Sequence, residues 1–265
     1  QTKGDIGQAR DAAFKAFRVK KRDKVKKMHM SDERHMLVTC LQVWSDFIQK
    51  DDKFQVLQMP DGSPATELTF SIPYYKDENV KINLTGTIDR VGKIAGGCYC
   101  IRDYKTTSAW DTKNYLPVYE MSVQLRFYVF ALRLMAERFP ESILGQVGAT
   151  RVGACIDAVF IKEKAHENTY ATSDVFQYEP AHLKELQDMV DELIIRLSTE
   201  VGLQRMLGAS YRPKKEGIVN GTCEQKYGKC KYWNVCKQND DKISQILLDR
   251  DFIKKHYDPL HFNEP

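Results

Sequence analysis

No stretch of this 265-residue chain approaches the roughly 18 to 20 consecutive apolar residues that a membrane-spanning helix needs. No secretory leader is legible either. The seven cysteines (40, 98, 100, 155, 223, 230 and 236) are odd in number and unevenly spread, so reduced thiols are the expectation rather than a disulfide framework. Internal repeats and low-complexity tracts are absent. Charge of one sign does not dominate, because 40 Lys and Arg against 36 Asp and Glu leave only +4. What remains is a composition of 42% hydrophobic and 29% charged residues, at a length that can bury a sizeable core. That predicts a globular chain with no membrane partner.

The mild net charge is uneven. "RVKKRDKVKK", residues 18–27, holds seven Lys or Arg in ten positions: a solvated helix face or a surface for a polyanion. Residues 5–30 read as one helix and 31–50 as a second, with Ser31 as N-cap and Met36, Leu37, Cys40, Leu41, Trp44, Phe47 and Ile48 at helical spacing. Four β-rich stretches follow, "FQVLQMP", "ELTFSIPYY", "VKINLTGTIDRV" and "CYCIRDYKTT", separated by turn signals, which predicts a β-meander. Residues 118–138 contain no Gly or Pro and read as a helix that returns across the sheet. Strands are expected in "ACIDAVFIKEK" and "DVFQYEP". A helix with Leu183, Leu186, Val190, Leu193, Ile194 and Leu197 on one face comes next. After about residue 210 the chain turns Lys-, Gly- and Cys-rich, so the expected division is a main domain over 1–210 and a small appended segment over 211–265.

The chemistry concentrates in "GTIDRVGKIAGGCYCIRDYKTTS", residues 86–108. Folded about Ala95-Gly96-Gly97, the two strands bring Asp89 and Asp103 opposite or nearly opposite each other, and Lys105 shares the face of Asp103. Facing carboxylates cost about 0.2 to 1 kcal/mol at an exposed pair, and more when desolvated. A divalent cation removes that cost, and hard carboxylate oxygens suit Mg²⁺ or Mn²⁺. An ammonium beside such a cation can orient an attacking water or neutralise charge developing on a phosphate. The plainer alternative is a surface hairpin in which Lys105 makes an ordinary ion pair.

Three strings together, Gly86 to Asp89, Asp103-Tyr104-Lys105-Thr106, and Gln124 with Tyr128, resemble the nuclease domain of the RecB type in the PD-(D/E)xK superfamily, which includes phage and CRISPR-associated exonucleases. The resemblance implies an α/β, restriction-endonuclease-like core: a central mixed β-sheet flanked by helices, with a small Cys-rich C-terminal appendage. It implies a divalent-metal-dependent DNA exonuclease in which Asp89 and Asp103 bind Mg or Mn and Lys105 is the catalytic lysine. Gln124 and Tyr128, one helical turn apart, would approach the DNA backbone or Lys105. The family's first helix carries a G-x-x-x-H motif. Here Gly7 is followed at that spacing by Asp11, a departure, although aspartate also ligates Mg²⁺ or Mn²⁺. Glu67 stands where relatives often have a strand glutamate, as an auxiliary ligand or merely an edge-strand residue. By the same resemblance Lys20, Lys21, Arg22, Lys24, Lys26 and Lys27 would track DNA phosphates.

Cys223, Cys230 and Cys236 fall within fourteen residues, among lysines. The resemblance implies a [4Fe-4S] cluster whose fourth thiolate comes from far upstream, in sequence preceding Gln1, because Cys40 sits in an amphipathic helix as a core residue would. Zinc with His256 or His261 is the alternative, and three free thiols a further one. DNA ends or single strands are the expected substrate, with recombination, replication or repair proteins as partners, in the cytoplasm of a bacterial or phage-infected cell or at the nucleoid. A non-catalytic scaffold that keeps the fold, and an RNA-processing enzyme, are the competing readings.

Overall fold

Two consecutive strands are buried on both faces, which marks them as the centre of a sheet. All nine residues of Val152–Phe160 are buried, and Cys100 to Asp103 are buried in succession. The computed structural model describes residues 54–108, 112–161, 169–208, 224–225, 228–238 and 240–252. The helices expected over 5–30 and 31–50 lie outside them, as do Asp11, Cys40 and the basic residues 20–27.

The described strands are β1 (Gln55–Val56), β2 (Thr66–Lys76), β3 (Lys81–Lys93), β4 (Tyr99–Thr107), β5 (Val152–Phe160), β6 (Thr169–Thr172) and β7 (Phe176–Gln177). They form one mixed sheet in the order β1-β3-β4-β5-β6, with β2 also on β3 and β7 also on β5. The β2-β3-β4 part is the expected meander. β5 then joins β4 in parallel, Asp103 facing Ile156 and Lys105 facing Ala158, so the chain between them must cross over. That crossover contains α1 (Thr112–Tyr115), the 3-10 helix Pro117–Met121, α2 (Val123–Arg138) and α3 (Ile143–Gly148). α2 buries Leu125, Tyr128, Val129 and Leu132, the i, i+3, i+4, i+7 stripe of a helix lying on a sheet.

Several expected boundaries need correction. The helix read over 118–138 is two pieces. Pro117 favours the start of the 3-10 helix, and Ser122 is extended (ψ 123°), breaking it from α2, whose first bond runs from Arg126 N to Ser122 O at 3.1 Å. The strand expected in "FQVLQMP" shrinks to β1 and an isolated bridge between Gln58 and Pro64. "DVFQYEP" shrinks to β7, because it and the unanticipated β6 share one edge of β5. The register slips by a residue between Asp157↔Thr172 and Gly153↔Gln177, leaving a bulge at 173–175.

The chain divides into two units, Gln1–Ile72 with Leu84–Val190, and Pro73–Asn83 with Asp191–Pro265. α4 (Pro180–Leu207) begins in the first and ends in the second. Its inward face runs Leu183, Leu186, Ile194 and Ser198, whereas Leu193 and Leu197 are 58% and 51% exposed, contrary to the apolar periodicity. Within the second unit the Ser198 hydroxyl donates to Asp77 and Tyr74 Oη donates to Asp191 at 2.8 Å, so polar anchors set the helix rotation. That unit also holds a short β8 (Glu224–Gln225) and β9 (Gly228–Lys229) hairpin, α5 (Trp233–Cys236) and α6 (Asp241–Asp251). Asp240 caps α6, accepting from Lys242 N at 2.8 Å.

Candidate active site

The β3-β4 ladder pairs Arg90 with Arg102 through Lys93 with Tyr99, around a turn whose Gly96 and Gly97 have φ of +90° and +82°. Continued one pair further, this register sets Asp89 opposite Asp103. The ladder stops just short of them. In its place the Asp89 side chain reaches across, and its Oδ2 accepts from Tyr104 N at 2.8 Å. The strands therefore part where the two carboxylates stand, and a side chain takes over from the backbone acceptor.

On the other side of β3, Val91 N donates to Ala65 O at 3.0 Å, and the Thr69 and Thr87 hydroxyls meet at 3.2 Å. Both contacts have the same register, which sets Glu67 opposite Asp89. Glu67, Asp89 and Asp103 thus form a row across three strands. Glu67 has φ +50°, the sole positive φ of a non-glycine among the described residues. That conformation is strained for glutamate.

Asp103 is 1% exposed. Burial raises its pKa, and the Asp89 charge adds to the rise, while the Lys105 ammonium against its Oδ2 pulls the other way. Lys105, a quarter exposed, donates to Gln124 Oε1 at 3.1 Å. Gln124 Nε2 donates to Asp103 Oδ1 and to Tyr128 Oη, each at 3.0 Å. One amide therefore ties the acid, the lysine and the phenol together. Tyr128 titrates above the ordinary tyrosine range, through burial first and then the Asp103, Asp89 and Glu67 charges, although the Gln124 bond opposes this. It stays a protonated donor at neutral pH. Gly86 makes room here, since a Cβ on it would meet the Phe70 ring at 2.8 Å and the Tyr128 ring at 3.6 Å.

The family comparison agrees with this geometry. The model of the PD-(D/E)XK nuclease superfamily matches residues 3–237, most of the chain. The chain belongs to that superfamily. Its mixed sheet with flanking helices is the restriction-endonuclease-like α/β fold, and members are in general metal-dependent nucleases, with DNA the substrate the fold implies. Asp103-Tyr104-Lys105 spells the (D/E)XK of the name. No curated protein sequence matches the chain.

Asp103 Oδ2 is buried and, although the Lys105 ammonium faces it, accepts no well-directed hydrogen bond. A buried carboxylate oxygen in that state, with the Asp89 carboxylate one strand away, fits a hard divalent cation. Among the described residues, however, no three His, Cys, Asp or Glu side chains gather closely enough to hold a metal. The reason is visible in the bonds: Asp89 is turned to Tyr104 N, and Asp103 to Gln124 and Lys105. Cys230 and Cys236 are half-buried, while Cys223, His256 and His261 lie outside the described residues. Among the described residues no helix is long and apolar enough to cross a membrane.

Sequence reasoning missed Tyr119. Its hydroxyl meets Tyr115 Oη at 2.7 Å, and its pKa is pushed up by burial, by Tyr115 and by the Asp103 charge. Tyr119 fell inside the helix expected from 118 and Tyr115 outside it, so the pair had no common element in the sequence reading.

Proposed function

We propose that the chain is a Mg- or Mn-dependent deoxyribonuclease, most naturally an exonuclease working on DNA ends or single strands. The observation that carries this reading is the closed set of contacts in which Gln124 joins buried Asp103 to Lys105. Asp89 and Asp103 would hold the metal, with Glu67 in the same row as an auxiliary carboxylate. The metal, when bound, would supply Lewis-acid polarisation of the phosphate and a more acidic attacking water.

The rest falls to the chain's own groups. Lys105 Nζ offers a compact positive charge for a phosphate oxygen as charge builds there, and Gln124 Oε1 fixes where that ammonium stands. Gln124 Nε2 orients the Asp103 carboxylate. Tyr128, accepting from Gln124 and still protonated, has its own O–H free to donate to a backbone oxygen of the DNA. A metal centre on Cys223, Cys230 and Cys236, iron-sulfur by resemblance or zinc, rests on their spacing alone, and iron, acid-labile sulfide and zinc analysis tests it.

The deciding experiment is cleavage of end-labelled linear and of covalently closed circular DNA with Mg²⁺, Mn²⁺ or EDTA. The expected result is metal-dependent shortening from an end, with circles left intact and activity abolished in Asp103→Ala and Lys105→Ala. Nicking of circles would make the enzyme an endonuclease. No cleavage of any DNA by metal-loaded protein would favour a non-catalytic scaffold.

A further inference from the structure

Thr107 and Phe160 are partners in the parallel β4-β5 ladder, and strand alternation puts both on the face that carries Asp103 and Lys105. Buried Phe160 takes the Tyr115 ring edge-on at 5.5 Å, and the Tyr115 hydroxyl meets that of Tyr119 at 2.7 Å. At the other end, Ser122 N donates to Tyr119 O at 2.9 Å, which ties Tyr119 to the start of α2, where Gln124 holds Asp103 and Lys105. The two phenols are thus anchored to the active face from both sides. Burial first, then the Tyr115 bond and the Asp103 charge, hold the Tyr119 pKa above the ordinary tyrosine range. Tyr119 therefore feels Asp103 and stays protonated at neutral pH.

Two phenols carry two protons but share one bond, in which either can be the donor. Among the described residues neither hydroxyl has a second hydrogen-bond partner, so one O–H is left to donate from a half-buried pair. Pro117 and Glu120, on one side of the 3-10 helix, line a cleft opposite residues 172–177, which turns the Glu120 carboxylate from the side of Tyr119.

We propose that Tyr119 donates this proton to a non-bridging oxygen of the DNA phosphate next to the one attacked, while Tyr115 donates to Tyr119. The inference rests on the nuclease reading and adds a substrate contact to it. Thr107 lies two residues, about 7 Å, beyond Lys105 along β4, close to the step between neighbouring phosphates of a strand. A hydrogen bond to a charged acceptor is stronger than one between neutral groups, and the bond from Tyr115 polarises the Tyr119 O–H further. Rings already held against Phe160 lose little freedom when the substrate arrives.

The test compares the full chain with Tyr119→Phe and Tyr115→Phe, which break the same mutual bond and should lower the melting temperature equally. Affinity for DNA in EDTA, read by fluorescence anisotropy, should fall about tenfold in Tyr119→Phe, as loss of a bond to a charged group implies, and clearly less in Tyr115→Phe. Cleavage in Mn²⁺ is then followed on end-labelled DNA carrying one uncharged methylphosphonate linkage at successive positions. In the unmodified protein a methylphosphonate beside the cut linkage should slow that cut about tenfold. In Tyr119→Phe it should make no further difference there, whereas its effect at other positions should match the unmodified protein. Equal losses of affinity in the two Phe variants would overturn the proposal, leaving the pair as a brace for the 3-10 helix. So would a Tyr119→Phe variant as sensitive to the neighbouring methylphosphonate as the unmodified protein. Unmodified protein that cleaves no DNA, but whose affinity drops more in Tyr119→Phe than in Tyr115→Phe, would sink the nuclease reading and leave the phosphate contact standing.

Discussion

The amide nitrogen of Gln124 lies 3.0 Å from Asp103 Oδ1, and this bond decides which way the whole side chain faces. With its nitrogen committed to Asp103 and Tyr128, its oxygen is left for Lys105. The donor and acceptor ends of one residue thereby hold at once an acid and the lysine paired with it.

Gln124→Ala and the near-isosteric Gln124→Glu should therefore both slow single-turnover DNA cleavage, by about a hundredfold, as loss of positioning at a reacting centre does. DNA affinity should change little, because the phosphate-binding charges remain. Gln124→Glu cutting at the unmodified rate would show that the donated bond to Asp103 is dispensable.

Asp103 carries a pH dependence of its own. Its folded pKa is raised by burial, so the folded state holds the proton more tightly than the unfolded chain does. Its contribution to stability is therefore fully present below the ordinary carboxylate value of 3.8 and is lost as pH rises through the raised folded pKa. In metal-free protein, Asp103→Asn should raise the melting temperature at neutral pH, and the advantage should fade on acidification. Mn²⁺ should raise the melting temperature of the unmodified protein but not that of Asp103→Asn. An Asn variant that melts lower at pH 7 would mean that the Lys105 contact outweighs the burial.

Gly86 should not tolerate a methyl group. The Phe70 ring lies 2.8 Å from where a Cβ would be, and the Tyr128 ring follows at 3.6 Å. Gly86→Ala should cost about 1 to 3 kcal/mol in urea unfolding, typical of overpacking. Cleavage should fall as well, because the displacement passes to Tyr128. A variant of unchanged urea midpoint would show that Phe70 swings clear at no cost.

Those features were legible to different degrees. Asp89 and Asp103 are equidistant from Gly96, and strand alternation alone put them opposite each other, because a tight turn fixes register. Gln124 and Tyr128 were found as one face of a helix. The parting of β3 and β4 beyond Arg90 and Arg102 left no local signal. The break at Ser122 was hidden because no Gly or Pro marks it, and apolar residues run through on both sides. In α4 the apolar pattern pointed to Leu197, but the Asp77 carboxylate, more than a hundred residues away in sequence, selected Ser198. Non-local polar partners account for most of what the sequence did not reveal.

Glu67 offers the sharpest separation of stability from activity. Left-handed backbone costs a non-glycine residue roughly 1 to 2 kcal/mol, whereas glycine adopts it freely. In an ordinary strand, glycine is less stable than alanine by about 0.5 to 1 kcal/mol. At φ +50° the order should invert, so Glu67→Gly should unfold at higher urea than Glu67→Ala. The carboxylate is lost in both, and the row across β2, β3 and β4 loses its first member. If that carboxylate serves the site, both variants should lose cleavage to the same extent, most visibly at low Mg²⁺, despite their different stabilities. Equal loss with inverted stability would identify strain kept for a functional side chain. Unmodified cleavage in both variants would reduce Glu67 to an edge-strand residue in an awkward turn.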